Sequence, residues 1–162
     1  MGEDIDKRDP AVRETIAGRF NRMIPHNQAI GLQVADVAGE RIRTTLAYRA
    51  DFLGDPEAGL WHTAIGTTAA DSTCGLAVFL AIPGLESVAT IDLRMDYLRP
   101  ATIDRALLAI AGCLHITDEV AFVRCEIFSE GKAQPVATGS ATFMRNTPGQ
   151  RFKTFNEQED GT

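Results

Sequence analysis

Between Trp61 and Leu85 the chain reads WHTAIGTTAADSTCGLAVFLAIPGL, and Asp71 is the sole formal charge in that stretch. Ala, Gly, Thr and Ser fill its first half, larger apolar residues fill the second, and Pro83-Gly84 ends it. Such a pattern predicts a helix of small residues, broken at the proline, with other elements wrapped closely around it. A carboxylate in the middle of such a helix is costly to bury unless it is paired or used. Asp71 is therefore the first place to look for chemistry, and the strands on either side are expected to be organised around the helix that carries it.

The rest of the chain limits the possibilities. Its 162 residues suit one domain with a real core. A net charge of −6 argues against a nucleic-acid partner, which leaves a basic footprint. Cys74, Cys113 and Cys125 are widely spaced with no CxxC pair, so neither a disulfide framework nor a zinc site is indicated. The N-terminal stretch MGEDIDKRDPAVRE lacks the apolar run of a signal peptide, and Ala64–Leu85 is too polar for a membrane span. A soluble cytoplasmic protein with reduced thiols is expected.

Taken in order, Met1–Asp9 reads as polar and frayed. Asp9-Pro10 then supplies a helix cap and a first-turn proline, and Val12, Ile16 and Phe20 recur at helical spacing, which predicts a helix over Pro10–Met23 ended near Pro25. From Gly31 the period becomes two. Leu32–Val37 and Ile42–Leu46 read as a hairpin turning at Gly39, and Tyr48–Leu60 as a loop. Beyond the central helix, Val88–Tyr97 alternates cleanly: Ile91, Leu93, Met95 and Tyr97 on one face, Thr90, Asp92, Arg94 and Asp96 on the other. Ala106–Ile116 is more continuously apolar, as for a strand buried on both faces. Val120–Phe128 and Pro135–Met144 alternate again. A helix, two strands, a long helix and four consecutive strands indicate an α+β architecture.

Several chemistries lack their residues. His26, His62 and His115 show neither HxH nor HExxH spacing, so no metal is implied, and no GxSxG, P-loop or GxGxxG is present. Cys74 has no evident base or electropositive setting in sequence. His62 and Asp71 remain. Nine residues along a helix put them on opposite faces, roughly 13 Å apart along the axis. Cooperation between them would need a two-fold interface in which Asp71 of one subunit faces the other's helix start.

Gly59-Leu60-Trp61-His62 followed by Asp71, the run Thr90-Ile91-Asp92-Leu93-Arg94-Met95-Asp96-Tyr97-Leu98-Arg99-Pro100-Ala101, and Gly139-Ser140-Ala141-Thr142-Phe143 together resemble the hotdog-fold acyl-CoA thioesterases of the PaaI-like group. The likeness runs from about Gln28 to Arg145. It implies a hotdog fold, a curved antiparallel sheet wrapped around the long helix, with an extra N-terminal helix here. It implies hydrolysis of an acyl-CoA thioester at a dimer interface without a cofactor. By position, Asp71 matches the family's general base or nucleophile. Thr63 matches the residue whose N–H polarises the carbonyl, aided by the helix dipole. Thr90 matches a residue that helps position water.

The chain departs from the resemblance at two points. The family's Gly-Gly is Thr63-Ala64, which crowds the backbone approach to substrate. The Asn or Gln often found before the histidine is replaced by Pro56 between Asp55 and Glu57.

His62, Trp61 and Ala64 are candidates for substrate contact, with His62 first a helix-start residue and Trp61 equally a packing anchor. Arg94 and Arg99 are candidates for coenzyme A phosphates, alongside Arg49 and Arg145, although each also fits an ordinary strand-end charge. The expected organisation is an N-terminal helix and frayed end (1–27), a hotdog domain (28–145) and a loosely ordered tail (146–162), assembled as a homodimer or dimer of dimers. The competing functions are a non-catalytic acyl-CoA or small-ligand binding module and a hotdog hydratase or dehydratase.

Overall fold

The central stretch forms one helix, Thr63–Ala81 (α3), in a computed structural model that describes residues 5–147. It ends where the sequence predicts. Ile82 is extended, and Gly84 takes φ +61 after Pro83, which has no N–H to continue the ladder. Ala69, Ala70, Thr73, Cys74, Leu76, Ala77 and Val78 are buried along it. Length and composition alone would let α3 cross a membrane, but 56% of that window lies inside the protein, beneath a sheet.

The other elements are α1 (Pro10–Met23), α2 (Pro25–Ile30), β1 (Gln33–Asp36), β2 (Ile42–Leu46), β3 (Leu53–Asp55), β4 (Leu60–Trp61), β5 (Val88–Tyr97), β6 (Leu107–Ile116), β7 (Val120–Ser129) and β8 (Ala137–Arg145). Six strands build one antiparallel sheet in the order β1-β2-β6-β7-β8-β5, and β3 pairs separately with β4. This is the α+β arrangement expected, with the sheet laid over α3. Two buried hydroxyls help fix the two layers together: Thr44 of β2 and Thr73 of α3 lie 2.7 Å apart, oxygen to oxygen.

The inner face of the sheet follows from register. Leu93 pairs with Ala141, which pairs with Val123, while Met95, Gly139 and Cys125 form the next row. Between Thr90 and Asp92 the register shifts, so Ile91 is an extra residue in β5. The alternation read from the sequence is corrected here. Thr90 shares the helix-facing side with Leu93, Met95 and Tyr97, and Ile91 is turned out, 52% exposed. The bulge costs one paired residue and re-aims one hydroxyl.

Other expectations change as well. The first helix ends at Met23, as expected, but Pro25 starts a further short helix, α2, which ends on Gly31 at φ +75 and buries Asn27 and Ile30. The segment 48–60 contains a 3₁₀ turn, Ala50–Phe52, and the short β3. β6 is not buried on both faces; Leu107, Ala109 and Ala111 point inward, while Leu108 and Ile110 are half-exposed. From residue 148 onward the expected tail lies outside the described residues. Within them, the Ser87 hydroxyl donates to the Thr147 carbonyl at 2.6 Å.

The described part of the segment expected to fray, residues 5–9, is anchored. Lys7 is buried, 6% exposed, with Nζ donating to the carbonyls of Phe79 and Ile82 and lying 4.0 Å from the Phe79 ring centre. It therefore caps the C-terminal end of α3, where a cation also meets the negative end of the helix dipole. Arg13 fastens the same segment by donating to the carbonyls of Lys7, Val37 and Gly39.

Burial pulls the Lys7 ammonium down to about 8, and the neighbouring Glu86 carboxylate opposes that shift. Between pH 8 and the ordinary lysine value of 10.5, the unfolded chain then holds a proton that the folded chain does not. Raising pH through that window favours the folded state. Urea denaturation of wild type and Lys7→Met at pH 7.5 and 10 checks this. The wild-type advantage is expected to grow with pH, by on the order of 2 kcal/mol.

Candidate active site

The site is built at the start of α3. Gly59 turns the chain with φ +62, and the Trp61 N–H donates to the Ala101 carbonyl at 3.0 Å. The Trp61 ring packs between Tyr48 and Phe52, and its Nε1–H donates to the carbonyls of Thr102 and Arg105 at 3.1 and 3.2 Å. Trp61 is thus a packing anchor that locks the strand before the helix. His62 follows as the N-cap, extended at φ −68 and ψ 127, with its own N–H bound to the Phe52 carbonyl at 2.8 Å. Its Nδ1 accepts from the Ala64 N–H at 3.2 Å, which requires the tautomer that carries its proton on Nε2.

That cap distributes the first-turn donors unevenly. Ala64 N–H is taken by His62, and Ile65 N–H bonds the His62 carbonyl at 3.1 Å. Among the described residues, no acceptor meets the Thr63 N–H. An orphan donor at a helix start, reinforced by the dipole, is a ready receptor for a developing negative oxygen. Replacing Gly-Gly by Thr63-Ala64 causes no backbone strain, because among the described residues only Asn146 is a non-glycine at positive φ.

Asp71 sits two turns further on, half-buried, facing β5. The Thr90 hydroxyl donates to its Oδ1 at 2.8 Å, and among the described residues no cation pairs with it. One carboxylate oxygen is held, and the other remains for water or substrate. This contact exists because the Ile91 bulge turns Thr90 inward.

A cavity of about 320 Å³ opens beside the helix start. Leu60, Trp61, Leu107, Ile127, Val136 and Ala137 give it apolar walls, and His62, Thr63, Tyr97 and Arg99 also line it. At this end of β5, the Tyr97 hydroxyl lies 2.6 Å from the Thr63 carbonyl and 2.5 Å from the Thr67 hydroxyl. Tyr97 is not among the site candidates that the sequence offers. In the sequence it is one of four residues on an apolar strand face and part of the run Thr90–Ala101 that carries the family resemblance, with no role of its own. The one available signal was Thr67, one turn beyond Thr63 on the same side of the helix.

The structure separates the remaining candidates. Arg94 stands on the outer face of the sheet, in a row with the exposed Ser140 and Arg124, and pairs with Asp96 at 3.0 Å. Arg99 lies at the cavity but donates to the Pro135 carbonyl. Arg49 binds Asp51 and the Ala29 carbonyl, and Arg145 binds Glu86. Cys74 is fully buried, and donating its S–H to Cys125, together with burial, pushes its thiol well up, away from any nucleophilic role. Burial pushes Cys113 up to about 11. Among the described residues, no group of three or more His, Cys, Asp or Glu is placed to hold a metal ion.

A family model described as the thioesterase superfamily matches residues 58–136, the span from the helix-start loop through α3, β5, β6 and β7. A point mutant of the phenylacetic acid degradation protein PaaI from Thermus thermophilus superposes with a TM-score of 0.64 at 30% identity, over 75% of this chain and 98% of that one. The chain belongs to the thioesterase superfamily. A crystal structure of a Pseudomonas aeruginosa protein gives a TM-score of 0.73 at 32% identity, covering 82% of this chain and 98% of that one. The medium/long-chain acyl-CoA thioesterase YigI of Escherichia coli is 25% identical over 134 residues, covering 75% of this chain and 85% of its own. Thioester hydrolysis is the general chemistry of the superfamily, and the site described above is where this member keeps a carboxylate and an unused backbone donor.

Proposed function

We propose that this thioesterase hydrolyses an acyl-CoA in a site assembled from two copies of the chain, with Asp71 as general base or nucleophile. The observation that carries the reading is the placement of Asp71 and Thr63 on one helix. Eight residues separate them by roughly 12 Å along the axis, too far for both to reach one thioester carbonyl. A second copy removes the difficulty. Among the described residues, β5 lies at the sheet edge and pairs only with β8. Pairing it antiparallel with the β5 of a second copy sets Thr90 level with the partner's Tyr97. Thr90 holds Asp71, and Tyr97 holds the Thr63 turn. Each carboxylate then faces the other chain's orphan N–H.

In this arrangement the free oxygen of Asp71 takes a proton from water as the water attacks the carbonyl carbon. The partner's Thr63 N–H holds the oxyanion. Collapse breaks the C–S bond, CoA leaves as thiolate, and the proton follows. Direct attack by the carboxylate would give an acyl-enzyme anhydride that water opens to the same products.

The acyl group lies in the cavity beside Thr63. At roughly 30 Å³ for each small group in a condensed phase, about 320 Å³ holds on the order of ten heavy atoms, a medium-length chain. The name of the Escherichia coli relative points the same way.

A panel of CoA esters from acetyl to palmitoyl, with phenylacetyl-CoA included and free thiol as readout, tests the substrate. Turnover is expected to be highest for chains of about eight to ten carbons. Tight binding of CoA esters with no thiol release would make the protein a binding module and overturn hydrolysis.

A further inference from the structure

Tyr97 is 44% exposed, yet its hydroxyl is fully committed. The Thr63 carbonyl, 2.6 Å away, can only accept, so the single phenolic proton goes to it. The Thr67 hydroxyl, 2.5 Å away, must then donate to Tyr97 Oη; its other acceptor, the Thr63 carbonyl, is 3.5 Å off. The tyrosine itself is held, because the N–H groups of Leu98 and Arg99 both donate to the Val136 carbonyl, at 2.8 and 3.2 Å. Its ring passes over Gly66, where even an added Cβ would stand 4.0 Å from a ring carbon. Burial of the ring needs no hydroxyl, so the bond to Thr63 requires a separate account.

Thr63 lies between two peptide planes. The plane after it is fixed at the N–H by His62 Nδ1 and at the carbonyl by Tyr97. The plane before it carries the orphan Thr63 N–H, and its carbonyl receives Ile65 N–H. With both planes held, the direction of the orphan N–H is fixed before any ligand arrives, which is what an oxyanion donor requires.

We infer that Tyr97, through the Thr67-Tyr97-Thr63 hydrogen-bond chain, is a positioning residue that aims the Thr63 N–H. This rests on the proposal that the N–H receives the thioester oxygen.

Steady-state kinetics on the preferred CoA ester and thermal unfolding test it with Tyr97→Phe, Thr67→Val, the double variant and Asp71→Asn. Tyr97→Phe is expected to lower kcat about fivefold, with KM within about twofold and Tm within about 2 °C. Thr67→Val should act in the same direction by less, and the double variant should be no worse than Tyr97→Phe, since one chain of bonds is cut either way. Unchanged kcat in Tyr97→Phe beside an inactive Asp71→Asn overturns the positioning role and leaves the proposed reaction standing. A kcat loss that tracks a fall in Tm also overturns it. Full activity in Asp71→Asn defeats the proposed reaction itself, whatever Tyr97→Phe does.

Discussion

Co-expressing Asp71→Asn chains with Thr63→Pro chains is expected to restore activity that neither variant has alone, to about a quarter of the wild-type level when pairing is random. Asp71→Asn removes the base or nucleophile and should cost on the order of 10²–10⁴ in kcat. Thr63→Pro deletes one backbone N–H and little else. Position 63 is the first residue of α3, where proline is favoured, and His62 before it is already extended at ψ 127. Loss of that donor should cost on the order of 10²–10³. In a mixed dimer, Asp71 from the proline chain meets Thr63 from the asparagine chain, and one of the two sites is whole. Half of randomly paired dimers are mixed, hence the quarter. Activity no greater than the sum of the two parents would place the base and the donor within a single chain and end the shared-site reading.

A large effect on stability is expected at Gly139. A Cβ there would stand 2.5 Å from Met95 Sδ, 2.8 Å from Cys125 Sγ and 2.9 Å from the Arg94 carbonyl oxygen. The last of these is backbone in a paired strand and cannot swing away. Gly139→Ala must push β5 or the buried Cys125 aside, and overpacking of this kind costs about 2–3 kcal/mol. In a chain of this length that lowers Tm by about 5–10 °C.

Gly75, which faces the same core from α3, is expected to behave in the opposite way. Its added Cβ would meet the Phe143 ring at 3.6 Å, an ordinary contact. Alanine in mid-helix should then add about 0.5–1 kcal/mol. Differential scanning of the two variants decides both. Gly139→Ala melting with wild type would show that the inner face is looser than these distances describe, and Gly75→Ala melting below wild type that it is tighter.

The fold was legible because its signals are periodic. A carboxylate isolated among small residues marked α3, and alternation marked five of the six sheet strands. What escaped depends on contacts between distant parts of the chain. Lys7 reads as a charge in a polar terminus, and nothing near it in sequence announces the carbonyls of Phe79 and Ile82. The Ile91 bulge lies inside the cleanest alternation of all, and period two cannot reveal an inserted residue that is itself apolar and stands between polar neighbours, Thr90 and Asp92.

For the candidate site, position along motifs points to Asp71, Thr63 and Thr90. The first-turn donor left over by the His62 cap emerged only from tracing each N–H to its acceptor. Arg94 shows the converse: strand-end arginines suit phosphate in sequence, but register fixes which face they occupy.

The strand order also sets a schedule for folding. β6, β7 and β8 follow one another as hairpins and can pair as soon as each is made, whereas β5 precedes all three and, among the described residues, has β8 as its only neighbour. During synthesis β5 waits, unpaired along both edges, until Ala137–Arg145 has emerged. The strand that holds Asp71 through Thr90 and the helix start through Tyr97 is thus the last to be fixed in the sheet.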